Sequence, residues 1–468
     1  MSPETGLMAA LRPRLDEAVD YAQVTGLLKY TAQGALAHAP FALIPSPLPR
    51  QAVQSMAALS VPFNRLARAI ADTPEFLREA LEPAARSDAF TAQLLNSMRP
   101  RHPVQPLTLL VVRSDYFMHH PAAPAGGEVP VPVVRQVELN TISAGYAGLS
   151  PLVHRLHAFL LREHPEARAL IPNDSLTPIA DAMSQAVSLY GHPAGCVLMV
   201  VQPRESNIVD QRLLEFALRE RGVKTRRATL AQVAQEGELR EGHLWMGDEV
   251  AAVTYFRAGY GPEDLDSPET VRARERIEAS ATISVPSLAE QLTGAKKIQQ
   301  LLTHPETLRQ FAPHNEARLL QAAFAGQWDP EQILEGPWGG KPAWQVALAN
   351  PSQFVAKPQR EGGGHNKFDE DLTELLRGST PQSRAAYILM ERLRPIPHET
   401  LLVREGRVTR ALTVSEVGRY GVLLSQGKKE LRNTDSGYLV RTKPAEVAEG
   451  GVTAGFGYLD SLMAVPNP

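Results

Sequence analysis

The chain has 468 residues, with 48 Lys and Arg set against 51 Asp and Glu and a formal charge of -3. That length exceeds one compact core and predicts two or three interlocked lobes, while the near balance of charge offers no surface for a nucleic acid or an anionic membrane. One cysteine, Cys196 in the apolar run CVLMVV, excludes an intrachain disulfide and reads as a buried strand residue.

Residues 1–22 mix acids and arginines with apolar positions, which suits an amphipathic helix and not a secretory signal. The longest apolar runs, such as LTLLVV at 107–112, fall short of the roughly 20 residues that span a bilayer, so a cytoplasmic location is expected. Between 48 and 98, apolar residues recur at helical spacing (Val53, Met56, Leu59, Phe63, Leu66, Ala67, Ile70), with SVP and ADTP expected to stop and cap the helices. Strands are expected at 107–113 and 133–140, paired across the loop PAAPAGGEVPVP.

Between 196 and 257 the order is a strand CVLMVVQ, a helix DQRLLEFALRERG, then VKTRRA, a helical TLAQVAQEG, and strands HLWMG and EVAAVTYFR. That order predicts a small α/β lobe with a parallel pair. Residues 288–350 read as mostly helical, including TGAKKIQQLLT. FVAKP, YILMERL and LLVREGRVTRALTVSEVGRYGVLL then alternate as antiparallel strands do. The expected divisions are 1–105, an N-terminal helical region; 106–194, a central sheet; 195–294, the α/β lobe; and 295–468, a nucleotide-binding region with glycine-rich lid loops.

Residues 357–366, KPQREGGGHN, carry the clearest chemistry. A strand delivers Lys357 beside a turn bearing Arg360 and Glu361, and three glycines then strip every Cβ from the backbone, so the loop can fold closely over phosphates. Glu361 supplies a hard carboxylate suited to Mg²⁺. The segment is neither GxxxxGK[ST] nor GxGxxG. In VELNTIS, Glu138 and Asn140 alternate across Leu139 and so share a strand face, a credible second half of a magnesium site. Glu416 in TVSEVG is a lone acid in an apolar strand and needs a partner.

Arg113 in RSDY, Arg257 and Tyr260 in YFRAGY, and Glu205, Asn207 and Gln211 in ESNIVDQ flank strands. Two arginines at separate strand ends suit a substrate with more than one carboxylate, although any one of them alone is accounted for by a surface ion pair. Arg441 and Lys443 precede a Gly450-Gly451 loop that could bring positive charge onto a phosphate. His154, His157, His365 and His398 are scattered, and structural or surface roles suffice for them. HExxH, GxSxG and EF-hand patterns are absent.

Read in order, RSDY, ELNTIS, ESNIVDQR, YFRAGY, QLTGAKKIQQ, FVAKPQREGGGHN, YILMERL, SEVGRYGV and LVRTK with EGGVTAG resemble the eukaryotic-type glutathione synthetase family of the ATP-grasp superfamily, from about residue 40 to the C-terminus. The resemblance implies an α/β ATP-grasp fold and an ATP-dependent ligase joining γ-glutamylcysteine to glycine through an acyl phosphate, active as a homodimer. It also implies Glu138, Asn140 and Glu361 as magnesium ligands. Glu138, Lys296, Lys357, Gly362, Gly363, Asn366, Met390, Glu416, Lys443 and Glu449 are implied ATP contacts, with Lys297 an adjacent alternative to Lys296. The peptide or the closing loops fall to Arg113, Ser143, Glu205, Asn207, Gln211, Arg257, Tyr260, Arg441, Val452 and Thr453; Arg113 and Arg441 are the implied catalytic pair, Arg113 stabilising transition-state charge.

Gly145, His365 and Phe368 depart from the pattern of the animal enzymes, and Thr453 stands where GGVAAG is usual. Glycine is the expected acceptor; β-alanine or serine, or a non-catalytic ATP-binding relative, are the alternatives.

Overall fold

A computed structural model of the chain describes residues 3–31, 33–121, 130–359, 365–447 and 455–467. Its largest sheet has seven strands: β1 (Phe41–Ala42), β2 (Leu107–His119), β3 (Val133–Asn140), β4 (His398–Arg404), β5 (Arg407–Gln426), β6 (Lys429–Pro444) and β7 (Tyr458–Asp460). They stand in the order β4-β1-β7-β6-β5-β2-β3, and β4 pairs β5 as well, so five strands close on themselves and β2 and β3 extend from the ring.

Period-two alternation in β2 divides the core. Leu110, Val112 and Tyr116 pack on one face with the helix Arg50–Ala71. Leu107, Leu109 and Val111 pack on the other with the helices Ser150–Leu160 and Leu176–Tyr190. The β2–β3 pairing expected across the loop is present and antiparallel.

SVP does not stop a helix. Arg50–Ala71 runs through Pro62, because Met56, Leu59, Phe63, Leu66 and Ile70 form one buried stripe across it. An interior proline costs about 3 kcal/mol, and burying each large apolar side chain returns about 1.5–3 kcal/mol, so the stripe prevails over the local signal. The ADTP boundary is where it was expected, with Pro74 opening the next helix, Pro74–Ala85.

The α/β lobe is a second sheet, in the order Thr225–Ala228, Gly195–Val200, Glu249–Phe256, His243–Met246, Gly237–Arg240, with Ile283–Val285 also pairing Glu249–Phe256. Gly195–Val200 lies parallel to both of its neighbours. Gly237–Arg240 was not foreseen; His243–Met246 supplies its ladder only once the chain has turned back.

A third sheet holds Gln327–Trp328, Tyr387–Glu391 and Phe354–Pro358, in that order. It interrupts the helical run expected over 288–350, since the partner of Gln327–Trp328 lies about 60 residues onward, beyond any local window. The expected divisions therefore need correcting at both ends. Residues 295–468 contribute to this small sheet and then, through β4 to β7, to the central one, while β1 carries part of 1–105 into the central sheet. Among the described residues no helix is long and apolar enough to cross a membrane.

Candidate active site

One face of β6, β5, β2 and β3 carries a row of charge. The pairs Glu416 with Arg441, Gly418 with Asp115, Asp115 with Glu138, and Arg113 with Asn140 are cross-strand neighbours, so alternation puts all of these side chains on one surface. Arg113 grips Asp115 with two hydrogen bonds, Nε to Oδ1 at 2.7 Å and Nη2 to Oδ2 at 2.8 Å. Arg441 Nη2 donates to Asp115 Oδ2 at 2.8 Å and also ion-pairs with Glu416. Asn140 Nδ2 donates to Asp115 Oδ2 at 3.0 Å.

The pairing of β2 with β3 skips a residue: Asp115 faces Glu138 and Tyr116 faces Gln136, leaving Val137 as a bulge. A bulged residue leaves the ladder, and the Val137 carbonyl accepts instead from Lys357 Nζ at 3.0 Å. Lys357 arrives on the strand Phe354–Pro358 of the small sheet. The helix Lys296–Leu302 brings Lys296, whose Nζ lies 3.1 Å from Glu138 Oε2. The adjacent alternative is resolved by geometry: Lys297 pairs with Asp329 at 2.5 Å and does not line the cavity.

These groups line a cavity of about 700 Å³ between the three sheets. At its ionic centre, burial works to raise the Glu138 carboxyl, but Lys296, Lys357 and Arg441 overrule it and hold Glu138 well below the usual carboxylate range. Glu416 moves the other way: burial raises it, and the carboxylates of Asp115 and Glu138 offset Arg441. Burial lowers Lys357, with Glu138 opposing. At one end Val355, Met390, Phe368 and Leu393 form an apolar slot suited to a flat heteroaromatic ring; Asn366 and Lys443 also line the cavity. His365 also lines the cavity, so a surface role alone does not describe it.

The other end meets the α/β lobe. Ser143 and Tyr146 adopt left-handed backbone angles, φ 53° and 72°, which non-glycine residues rarely hold without support. Support comes from Asp210, which accepts from the Tyr146 and Gly148 amides at 2.7 and 2.8 Å, and from the Gly145 carbonyl, which accepts from Tyr420 Oη at 2.5 Å. Arg257 lies 3.6 Å from Asp210, and its buried Nε has no hydrogen-bond partner among the described residues. Glu205, Asn207, Ser143 and Tyr260 line the same end. A Cβ on Gly145 would meet the Arg257 guanidinium at 2.9 Å.

Gln211 does not reach this cavity. It is buried on the helix Ile208–Glu220, where its Oε1 accepts from Arg227 at 2.7 Å; one residue earlier, Asp210 holds the loop at 145–149. Asp115, the hub of the charged row, was missed as well, although its spacing of two from Arg113 put both on one strand face. Glu361, Gly362, Gly363, Glu449, Val452 and Thr453 lie outside the described residues.

Two hard oxygen donors at the ionic centre fit a magnesium ion: the Glu138 carboxylate, and the Asn140 oxygen left facing the cavity when its amide nitrogen bonds Asp115. Among the described residues no cluster of three His, Cys, Asp or Glu side chains could hold a metal. Magnesium commonly takes one or two protein groups and completes its shell with substrate phosphates.

The family model described as the ATP binding domain of eukaryotic glutathione synthase matches residues 10–464. The chain is 36% identical over 465 residues to glutathione synthetase of Homo sapiens, covering 96% of each. It is 37% identical over 446 residues to the chloroplastic glutathione synthetase of Arabidopsis thaliana, covering 92% of this chain and 79% of that one. A glutathione synthetase-like effector of Globodera pallida shares the fold, with a TM-score of 0.77 at 22% identity over 99% of this chain and 98% of that one.

Proposed function

The chain belongs to the eukaryotic glutathione synthase family, and we propose that it is an ATP-dependent ligase joining γ-glutamylcysteine to glycine, with release of ADP and phosphate. The observation that carries this reading is the convergence of Arg113, Glu138, Asn140, Lys296, Lys357, Glu416, Arg441 and Lys443, drawn from distant parts of the chain, on one cavity with an apolar slot at one end and Arg257 at the other. In that cavity the cysteinyl carboxylate attacks the γ-phosphorus, ADP leaves, and an acyl phosphate forms. The glycine amine then attacks the acyl carbon, phosphate departs, and the amine proton is lost to solvent.

Such chemistry asks for charge stabilisation and alignment more than for an acid or base, and the cavity is built of fixed cations. Lys357 and Lys296 face the phosphates. Arg113 and Arg441, both anchored on Asp115, meet the charge that grows on the transferring group. Arg257 at the lobe end suits a carboxylate of the peptide. Glu138 and Asn140, with Glu361 from the sequence, would hold Mg²⁺, which when bound neutralises phosphate charge.

Incubation with ATP, Mg²⁺, γ-glutamylcysteine and glycine is expected to release ADP only when both acceptors are present and to give a product with the tripeptide mass. No ADP above the ATP-only background overturns the reading. Faster product formation with β-alanine or serine reassigns the acceptor.

A second copy of the chain as partner is supported by exposed Tyr30 and Leu36 on the hairpin formed by Leu28–Tyr30 and Leu36–His38, beside the helix that exposes Phe216. Sedimentation velocity tests it, and a monomer at micromolar concentration refutes it. The lone, buried Cys196 supports a cytoplasmic location.

A further inference from the structure

Asp115 is fully buried and does not itself line the cavity. Its carboxylate accepts from Arg113 Nε at Oδ1 and from Arg113 Nη2, Arg441 Nη2 and Asn140 Nδ2 at Oδ2, so three donors converge on one oxygen. We propose that Asp115 is the positioning residue of the phosphoryl-transfer centre: one carboxylate aims the two arginines and turns the Asn140 amide so that its oxygen faces the cation.

This rests on the ligase reading above, but the geometry behind it is local. The Asn140 amide nitrogen has two neighbours, Asp115 Oδ2 and the Arg113 carbonyl at 3.4 Å, and both are acceptors only. The amide therefore has one sensible orientation, with nitrogen inward and oxygen toward the cavity. Outer groups that orient a metal ligand in this way typically change metal affinity or activity by about 10–100-fold when altered. Arg113 and Arg441 would otherwise repel each other, and the shared anion between them lets both face the cavity.

The backbone makes room for the arrangement. Gly418 on β5 lies beneath the pair, and a Cβ there would sit 2.5 Å from Asp115 Oδ1 and 2.7 Å from Arg113 Cδ. No left-handed angle explains this glycine, since its φ is not positive; space for the Asp115–Arg113 pair does.

The test uses the full chain, with Asp115→Asn and Gly418→Ala as variants. Mn²⁺ affinity in the presence of a non-hydrolysable ATP analogue, read by electron paramagnetic resonance, requires no turnover. Asp115→Asn offers the Asn140 amide a donor as well as an acceptor, so the fixed orientation is lost. Mn²⁺ binding is expected to weaken about 10–100-fold and kcat to fall at least as far, while KM for γ-glutamylcysteine moves less than about threefold. Gly418→Ala displaces the same pair without altering any charge and is expected to move both readouts in the same direction by a smaller factor.

A folded Asp115→Asn that keeps Mn²⁺ affinity and kcat near wild type, losing only melting temperature, overturns the proposal, because a purely structural role predicts that pattern. If Asp115→Asn does not fold, Gly418→Ala decides: unchanged Mn²⁺ affinity and kcat overturn it. If the wild-type protein binds nucleotide and Mn²⁺ but forms no peptide product, the ligase reading fails, and the Mn²⁺ comparison still decides the role of Asp115.

Discussion

The strands β5 and β6 present two faces that are chemically opposite. On one face Glu416 and Arg441 sit opposite each other in a row that continues through Asp115 to Glu138. On the other, Ser415 and Thr442 sit opposite each other and close around Asp460 of β7. Ser46 Oγ and Thr442 Oγ1 donate to Asp460 Oδ2 at 2.6 and 2.7 Å. Burial pushes Asp460 up to about 7, and no cation stands among the groups that oppose the shift. Glu138, partly open to the cavity, is also raised by burial but stays ionised beside Lys296 and Lys357. Depth in the protein does not decide the charge of a carboxylate here; its neighbours do. The cation-rich face can take up a polyanionic ligand, and the hydroxyl face is closed and neutral at low pH.

The contrast is open to attack from both sides. The largest effect is expected from Arg441→Met, which takes from the charged face a cation that lines the cavity and is proposed to meet the transferring phosphoryl: kcat should fall about 10²–10³-fold in an ADP-release assay. A loss below about fivefold would mean that this face does not carry the chemistry. Lys296→Met removes the closest cation to Glu138 and is expected to cut kcat/KM for ATP about 10–100-fold, with a higher Mg²⁺ requirement.

Asp460→Asn probes the far face through pH. The folded Asp460 titrates near 7, above its unfolded value of 3.8, so its contribution to stability is full below pH 3.8 and is lost as pH rises through about 7. The variant lacks that slope. Its melting temperature should gain on wild type by roughly 2–4 °C between pH 5 and pH 8, and parallel melting curves across that range would show that the carboxyl stays ionised. Ser415→Ala should do least, costing about 1 kcal/mol in urea unfolding with kcat within twofold of wild type. A larger loss of activity would merge the two faces into one functional unit.

Much of the charged face was legible because strands alternate. A Glu and an Asn two apart, or an Arg and a Lys two apart after LV, declare a shared surface without any knowledge of the partner strand. What alternation cannot declare is which strand lies alongside. Asp115 looked like an ordinary polar residue until β3 was seen beside it and β6 one strand beyond β5, bringing Asn140 and Arg441 to its Oδ2.

Gln211, expected to hold substrate, lies off the cavity for a related reason. On a helix, neighbours point about 100° apart, and only the packed face tells which looks into the loop at 145–149. Pro62 misled because a proline rule is local, whereas the stripe that holds that helix together is set by its contacts with the central sheet. That the strands of 295–468 belong to two sheets was not legible, because hydrogen-bond partners across hundreds of residues leave no trace in either strand taken alone.

Val137, the residue skipped by the β2–β3 ladder, bears on how this chain can change length. On its C-terminal side Glu138 and Asn140 look into the cavity; on its N-terminal side Gln136 bonds Ser114 beneath the sheet. Deleting this one residue would leave Gln136 and Glu138 adjacent, each still opposite its present partner, but would remove the carbonyl that anchors Lys357. The ladder can therefore lose one residue at this point and keep Glu138 and Asn140 on the cavity face, and a chain of this family that is one residue shorter here must anchor its lysine by other means.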